Sequence, residues 1–197
     1  MSKAIWKPTT ILSPVPPALV SCGTLDKPNL LTIAWTGIVN TIPPMTYISV
    51  RPSRYSYNII KDSGEFVINL PCADIVKAVD FCGVRSGKDM NKFTVTGLTP
   101  QASANVSAPS IKECPLSFEC RVKSITHLGS HDMFLAEIVS VAVDEQFIDE
   151  RGKLRLDKAH IIGFAHGEYY ELGKKLGSFG YSVRKKSKPH KKHRKNK

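Results

Sequence analysis

The stretch NLLTIAWTGIVNTIPPMTYISVRPSRYSYNIIKDSGEFVINLP, from Asn29 to Pro71, decides the fold. Three of its segments are rich in apolar and β-branched residues and are bounded by turn residues, which predicts strands: LLTIAWTGIV (30–39), MTYISVR (45–51) and EFVINLP (65–71). Just upstream, ALVSCGTL (18–25) precedes the turn residues DKPN, so it is predicted to form a β-hairpin with the first of these strands.

A short helix is predicted between the second and third of these strands. Ser53 can cap its start, Tyr55, Ile59 and Ile60 then fall on one face, and Gly64 ends it.

The rest of the chain continues with a few short helices and further strands. Residues 72–83 have broadly helical spacing with Gly83 as the stop, and 86–93 form a short helix or turn. The later strands are 116–126 and 133–144, separated by the turn HLGSHD, and then 160–172. Because strands and helices do not alternate, the pattern argues against a parallel Rossmann sheet and favours an antiparallel barrel with attached helices.

Length and composition indicate one soluble domain. The chain has 197 residues, of which 42% are hydrophobic, and no stretch approaches the roughly 20 apolar residues that span a bilayer. The N-terminus has no signal-peptide pattern, so a cytoplasmic location is expected. The five cysteines are odd in number and form no C-x-x-C, which favours reduced, buried thiols, and no metal site is expected.

The net charge of +11 is concentrated at the C-terminus. Residues 184–197 hold nine of the 28 basic residues and no acid, which leaves 19 basic and 17 acidic residues in 1–183. We therefore predict a folded domain over 1–183 and a disordered basic tail over 184–197. The tail either attracts polyanions weakly or is a functionless solvated extension; a nucleic-acid-binding β-barrel is disfavoured because the body is nearly neutral.

Several motifs in the right order resemble the flavin reductase-like family, most closely its flavoredoxin branch. They are Asn29, T-I-A-W-T-G (32–37), P-P (43–44), I-S-V-R-P-S-R-Y-S (48–56), F-x-x-N-x-P (66–71), C-G-x-x-S-G-K-D-x-x-K-F (82–93), G-S-H-D-M-F-L-A-E (129–137) and E-Y-Y-E-L-G-K-K-L-G (168–177). The likeness extends from residue 8 to about 183.

This resemblance implies an FMN-binding split β-barrel and an oxidoreductase function. Electrons would pass from NADH or NADPH through bound FMN to free flavin or another acceptor. In the alternative, the protein is an FMN electron carrier that is reduced by a redox-protein partner without NAD(P)H activity. Members of this fold are usually homodimers with FMN at the subunit interface.

Arg51–Ser56 contains groups that can bind the phosphate of FMN. Two guanidinium groups and two serine hydroxyls lie there between a strand end and a helix start, where backbone N–H groups are free to bind an anion. By resemblance, Ser49–Ser56 together with Ser86, Lys88 and Lys92 hold the phosphate and ribityl chain. Alternatively, Arg51 and Arg54 are ordinary surface charges and Ser53 is only a cap.

The flavin ring is expected along the TIAWTG segment. Trp35 and Thr36 can flank the ring, and the small Ala34 and Gly37 permit close approach of the backbone, although a lone tryptophan is also common in a core. Asn40 either donates a hydrogen bond to the ring or makes a turn.

The full candidate set follows from the motifs and the resemblance. Cys82 lines the site or is a structural thiol, Phe164 and Tyr169 cover the cofactor, support an interface or belong to the core, and His131 lies on the nicotinamide side. No catalytic residue is assigned beyond that possibility for His131. The candidate cofactor-binding residues are Asn29, Thr32, Ala34, Trp35, Thr36, Asn40, Ser49, Val50, Arg51, Arg54, Tyr55, Ser56, Cys82, Ser86, Lys88, Lys92 and Phe164.

Overall fold

The structure is a computed structural model that describes residues 1–184. The predicted disordered tail, except for its first residue, lies outside the described residues. In the described part, no helix is long and apolar enough to cross a bilayer.

Eleven strands and three α-helices are formed in the described part. The strands are β1 (Ala18–Gly23), β2 (Pro28–Ile33), β3 (Thr36–Thr41), β4 (Pro44–Val50), β5 (Glu65–Leu70), β6 (Pro100–Gln101), β7 (Ser110–Ile111), β8 (Leu116–His127), β9 (Asp132–Val143), β10 (Ile162–Ala165) and β11 (Glu168–Glu171). The α-helices are α1 (Tyr55–Ser63), α2 (Val76–Val84) and α3 (Lys92–Thr96), and short 3₁₀ turns cover Ala73–Ile75, Glu145–Phe147, Leu156–Lys158 and Tyr181–Val183.

Seven strands build one antiparallel sheet in the order β2-β1-β5-β8-β9-β4-β3. Its two edge strands, β2 and β3, are joined by only Ala34 and Trp35, so the edges must come together and the sheet curls into a barrel. The Trp35 carbonyl accepts a 3.0 Å hydrogen bond from the Ser49 amide, which extends the β3–β4 pairing up to the turn. The prediction of a mainly β, antiparallel split barrel with short helices is confirmed.

The predicted single strand over 30–39 is wrong, because it is divided into β2 and β3. β2 pairs with β1, whereas β3 pairs with β4 at the opposite edge of the sheet. The chain therefore has to turn at Ala34–Trp35 to pass from one edge to the other. The predicted hairpin of β1 with the first half of this segment is confirmed.

The short helix α1 forms where it was predicted, but its N-cap residue differs from the prediction. Arg54, not Ser53, is the N-cap residue, and it makes no side-chain capping bond. Gly64 ends the helix with φ 69° and donates its amide to the Ile60 carbonyl, as predicted for a left-handed C-cap. The first turn of α1 therefore presents uncapped N–H groups.

Two further boundaries are corrected. Gly83 does not stop α2, which continues to Val84; a Cβ at Gly83 would lie 3.4 Å from the Thr32 Cβ, so this glycine lets the helix pack closely on β2. The segment 160–172 is a hairpin and not one strand, since β10 and β11 turn at His166–Gly167. The long strands β8 and β9 and the turn between them are confirmed.

The core has two layers because β1 and β2 are covered on both faces. Ala18, Val20 and Cys22 of β1 point into the barrel, and Leu19 between them points to α2 and α3. The barrel layer also holds Leu31, Ile33, Ile48, Val50, Tyr57, Ile60, Phe66, Ile68, Cys120, Phe134 and Ala136, and the helix layer holds Leu30, Val79, Cys82, Phe93, Leu98, Ile111, Cys114 and Ile162. α1 packs on β1, β2 and β5, and α2 packs on β1 and β2, so both helices are held beside β2.

Candidate functional site

A groove runs beside β2 and the Ala34–Trp35 turn and consists of two adjoining hollows. Four residues line both hollows, namely Leu31, Thr32, Arg51 and Arg54. We call the first the basic hollow, with a volume of about 350 Å³, and the second the aromatic hollow, with a volume of about 580 Å³. The shared residues make the two parts one continuous surface that could hold an extended ligand.

The basic hollow is lined by cations and hydroxyl groups, without a carboxylate. Arg51, Arg54, Arg85 and Lys92 supply the positive charge. The remaining lining residues are Leu31, Thr32, Ser53, Tyr55, Ser56, Cys82, Gly83, Ser86 and Gly87. Such a lining favours an anionic ligand group that accepts several hydrogen bonds.

Lys92 is the buried member of this set, with 4% of its surface exposed. Its Nζ donates to the carbonyl oxygens of Leu30 at 2.9 Å and Cys82 at 2.7 Å, which uses two of the three N–H bonds of an ammonium group. Burial, assisted by the charge of Arg54, lowers the pKa of Lys92. Among the described residues no carboxylate pairs with it, so an anion in the hollow would offset the cost of this buried charge.

The start of α1 adds neutral donors to the basic hollow. Because Arg54 makes no side-chain cap, the Tyr55 and Ser56 amides at the helix N-terminus are left without an intrahelical partner. The Ser56 hydroxyl accepts a 2.7 Å hydrogen bond from the Asn29 side-chain amide, and this bond fixes the position of the hydroxyl. The helix dipole reinforces the preference for an anion.

The aromatic hollow is walled by Trp35, His131 and Phe164. The Trp35 and His131 rings are 4.6 Å apart at their centroids and inclined by 46°. Phe164 forms a β-bridge with Val15 and packs against Tyr169, with ring centroids 5.2 Å apart. Burial, followed by the charges of Arg51 and Arg54, lowers the pKa of His131 below its ordinary 6.5, so the imidazole is neutral at pH 7.

Cys82 lines the basic hollow as an unreactive thiol. It is 1% exposed, and burial raises its pKa to about 11 despite the nearby charge of Lys92. A protonated thiol is a poor nucleophile at neutral pH. Its contribution to the groove is therefore shape, together with the backbone carbonyl that holds Lys92.

The comparison with protein families agrees with this geometry. The family model described as "Flavin reductase like domain" matches residues 12–173. The chain belongs to the flavin reductase-like family.

Two solved structures and one sequence relative are similar to most of this flavin reductase-like chain. The flavoredoxin of Desulfovibrio vulgaris (Miyazaki F) is 32% identical, with a TM-score of 0.86 over 93% of this chain and 100% of that chain. A flavoredoxin from Methanosarcina acetivorans is 28% identical, with a TM-score of 0.84 over the same shares. An uncharacterized protein of Archaeoglobus fulgidus is 36% identical over 146 residues, which is 74% of this chain and 81% of the relative.

Most of the residues predicted from the sequence meet in the groove of this flavin reductase-like chain. The lining includes Thr32, Ala34, Trp35, Ser49, Val50, Arg51, Arg54, Tyr55, Ser56, Cys82, Ser86, Lys92, His131 and Phe164. The fold brings them together from five separate segments, which are β2 with the turn after it, the end of β4 with the start of α1, the segment from α2 to α3, the β8–β9 turn and β10.

Four predicted residues lie elsewhere in the single chain. Asn29 donates a hydrogen bond to the Ser56 hydroxyl, and Lys88 lines an adjoining surface hollow together with Asn29. The Thr36 hydroxyl donates to the Tyr47 carbonyl at 2.6 Å, and the Asn40 amide donates to the Pro43 carbonyl at 2.8 Å in the β3–β4 turn.

Arg85 is a cation of the basic hollow that the sequence argument did not identify. It follows the last residue of α2, and its amide donates to the Phe81 carbonyl at 2.9 Å. The signal that could have found it is its position between Cys82 and Ser86, both of which belong to the predicted set. Gly83, Leu31 and Ile33 of the lining were missed as well.

Proposed function

We propose that this chain binds FMN in the groove and acts as an oxidoreductase, passing electrons from NADH or NADPH through the cofactor to free flavin or another acceptor. The observation that carries the proposal is the buried ammonium group of Lys92 in a hollow without carboxylates, continuous with an aromatic-walled hollow. Bound FMN would supply the hydride and electron chemistry, and the protein supplies binding, orientation and electrostatics.

The basic hollow fits the phosphate of FMN. A phosphate dianion accepts hydrogen bonds from several directions, and the hollow offers Arg51, Arg54, Arg85 and Lys92 with the amides at the start of α1. The hydroxyls of Ser53 and Ser86 add further donors at the same place. These groups would hold the phosphate end.

The aromatic hollow fits the flavin ring. Ala34, which is small, and the backbone between β2 and β3 leave room for a flat ring beside Trp35. On this proposal His131 lies on the nicotinamide side as a neutral imidazole, which can donate or accept a hydrogen bond without opposing the positive charge that develops on the nicotinamide ring as it gives up hydride.

The proposal includes a homodimer. β3 is an edge strand, and its exposed Ile38 and Val39, together with Ile42 in the following turn, form an apolar surface next to the groove-forming segment. Exposed apolar surface of this kind is typical of subunit contacts. A cytoplasmic location is also proposed, and the five free cysteines are consistent with it.

The second candidate function keeps FMN but makes the protein an electron carrier that is reduced by a redox-protein partner. The likeness to two solved flavoredoxins, at 32% and 28% identity, favours it. Both candidates need the same groove and differ only in the donor.

The deciding experiment is an anaerobic absorbance spectrum of the full chain reconstituted with FMN. Bleaching of the flavin bands on addition of NADH or NADPH supports the reductase. Stable FMN binding with no bleaching, but rapid reduction by a ferredoxin-type protein, supports the carrier. Failure to bind FMN during titration contradicts both candidates.

A further inference from the structure

Asp132 is a buried carboxylate that lies outside the lining of the groove. It is 2% exposed, and its Oδ2 accepts a 2.5 Å hydrogen bond from the Tyr57 hydroxyl. The same oxygen lies 2.9 Å from Nδ1 of His127, whose side chain is 80% exposed. One buried oxygen therefore holds two side chains that come from different elements.

The partners of Asp132 belong to the segments that shape the groove. Tyr57 lies in the first turn of α1, directly after Ser56 of the basic hollow. Asp132 directly follows His131, which contacts Trp35 in the aromatic hollow. Its Cα is in register with Val50 of β4, immediately before Arg51, so three segments of the groove meet at this carboxylate.

The His127–Asp132 contact also closes the turn that carries His131. His127 and Asp132 are the last register pair of β8 and β9, and the Leu128 amide donates to the His131 carbonyl at 3.0 Å within the turn. The position of the His131 ring against Trp35 therefore depends on a turn whose base is fixed by Asp132.

The carboxylate is ionised at neutral pH. The Tyr57 hydroxyl, and then His127 and the charge of Lys61 on α1, lower the pKa of Asp132, although burial opposes them. The hydrogen bond and charge of Asp132 in turn raise the pKa of Tyr57. Buried charges are costly unless they are well hydrogen-bonded, so removal of one partner should disturb the others.

We propose that Asp132 is a positioning residue for the cofactor: by holding Tyr57 and His127 together, it fixes the phosphate-binding start of α1 relative to the His131–Trp35 pair. The inference rests on the proposed function. It predicts that loss of the carboxylate weakens binding at both ends of the groove, although Asp132 touches neither.

Glu119 provides a matched control. It is also 2% exposed, and its two oxygens accept hydrogen bonds from the Ala104 and Asn105 amides at 2.8 and 2.6 Å. None of these residues lines the groove. Glu119→Gln therefore removes a buried charge of equal burial without disturbing the cofactor site.

The test compares Asp132→Asn with Glu119→Gln in a Trp6→Phe background, so that Trp35 is the only fluorescent tryptophan. The readouts are the FMN Kd, the Trp35 emission of the apoprotein and the melting temperature. We expect Asp132→Asn to raise the Kd about tenfold and to change Trp35 emission, because the His131 ring that packs against Trp35 moves. Glu119→Gln should lower the melting temperature but leave the other two readouts unchanged.

Equal behaviour of the two variants in Kd and emission would overturn the proposal and make Asp132 merely structural. If Asp132→Asn does not fold, Tyr57→Phe serves instead, because it removes one hydroxyl and keeps the ring packed on Phe134 at 5.3 Å; unchanged Kd and emission would again overturn it. If the wild type binds no FMN, the proposed function fails, and the apoprotein emission still decides the role of Asp132.

Discussion

Lys92 carries the buried positive charge on which phosphate recognition depends. Replacing it with methionine keeps most of the side-chain volume and removes the ammonium group. We predict that Lys92→Met raises the FMN Kd by roughly 10- to 100-fold, since a hydrogen bond to a charged group is lost. Riboflavin, which has no phosphate, should bind the variant and the wild type equally.

Fluorescence titration of two further variants with FMN tests whether the loss of affinity is specific to cations of the basic hollow. Arg54→Ala removes a second cation of the basic hollow and should also weaken FMN binding. Lys88→Ala removes a cation outside that hollow and should have a small effect. Equal losses for riboflavin and FMN in Lys92→Met would show that Lys92 supports the fold and does not recognise the phosphate.

His131 should give the groove a pH dependence that begins below neutrality. Its pKa is lowered from 6.5, so the folded protein disfavours the protonated imidazole and half-protonation lies below pH 6.5. We predict that Trp35 emission falls as the pH is lowered and the imidazolium forms, with the midpoint of the transition below pH 6.5. His131→Gln in the Trp6→Phe background should abolish the transition; a transition centred above 6.5 would contradict the assignment.

At the scale of elements, the contact between Gly87 and Asn29 links the turn after α2 to the start of α1. A Cβ at Gly87 would lie 1.9 Å from the Asn29 Oδ1 and 3.3 Å from Cδ1 of Tyr55. We predict that Gly87→Ala displaces Asn29, breaks its hydrogen bond to Ser56, and costs about 1–3 kcal/mol in the free energy of unfolding.

The same displacement should weaken FMN binding, because Ser56 and the first turn of α1 line the basic hollow. Gly173→Ala is the control, since no atom lies within 4 Å of a Cβ there. Chemical denaturation and FMN titration of both variants check the prediction. A Gly87→Ala protein with wild-type values in both would mean that Asn29 has room to move freely.

The strands and helices also show which features of the fold the local sequence predicts and which depend on tertiary contacts. The strands β1, β4, β5, β8 and β9, the short helix before β5 and its Gly64 end follow from local residue types, and they were predicted. The break at Ala34–Trp35 was not, because the apolar run continues through it and only the pairing of β2 and β3 with opposite edges imposes the turn. Arg85 was not predicted either, because it occupies an unspecified position of the 82–93 motif and enters the site through the packing of α2.

At the scale of the whole molecule, the charge and the apolar surface are unevenly distributed. Residues 1–183 are close to neutral, and the basic excess begins at Arg184. The groove therefore does not depend on overall charge for its anion preference: the cations of the basic hollow are placed individually by β4, α1, α2 and α3. The family motifs could identify most of these cations, because each motif is short and the motifs follow one another along the chain in the family's order.

The apolar surface of β3 and its turn leads to a prediction about assembly. Ile42 is 90% exposed and Ile38 is 65% exposed, and both lie at an edge of the sheet. If two copies bury this surface, a charge at Ile42 must be desolvated at the interface, so Ile42→Lys should shift the protein from dimer toward monomer. Sedimentation of the apoprotein and the FMN-loaded protein measures the shift.

Val95→Lys is the matched control, because Val95 on α3 is 56% exposed and lies away from β3. If the subunit contact contributes to the cofactor site, Ile42→Lys should lower FMN occupancy together with the dimer fraction, whereas Val95→Lys changes neither. A monomeric Ile42→Lys protein with full FMN affinity would confine the cofactor site to one chain. A wild-type monomer would remove the dimer from the proposed function and leave the groove, with Lys92 and the Trp35–His131 pair, as a complete site.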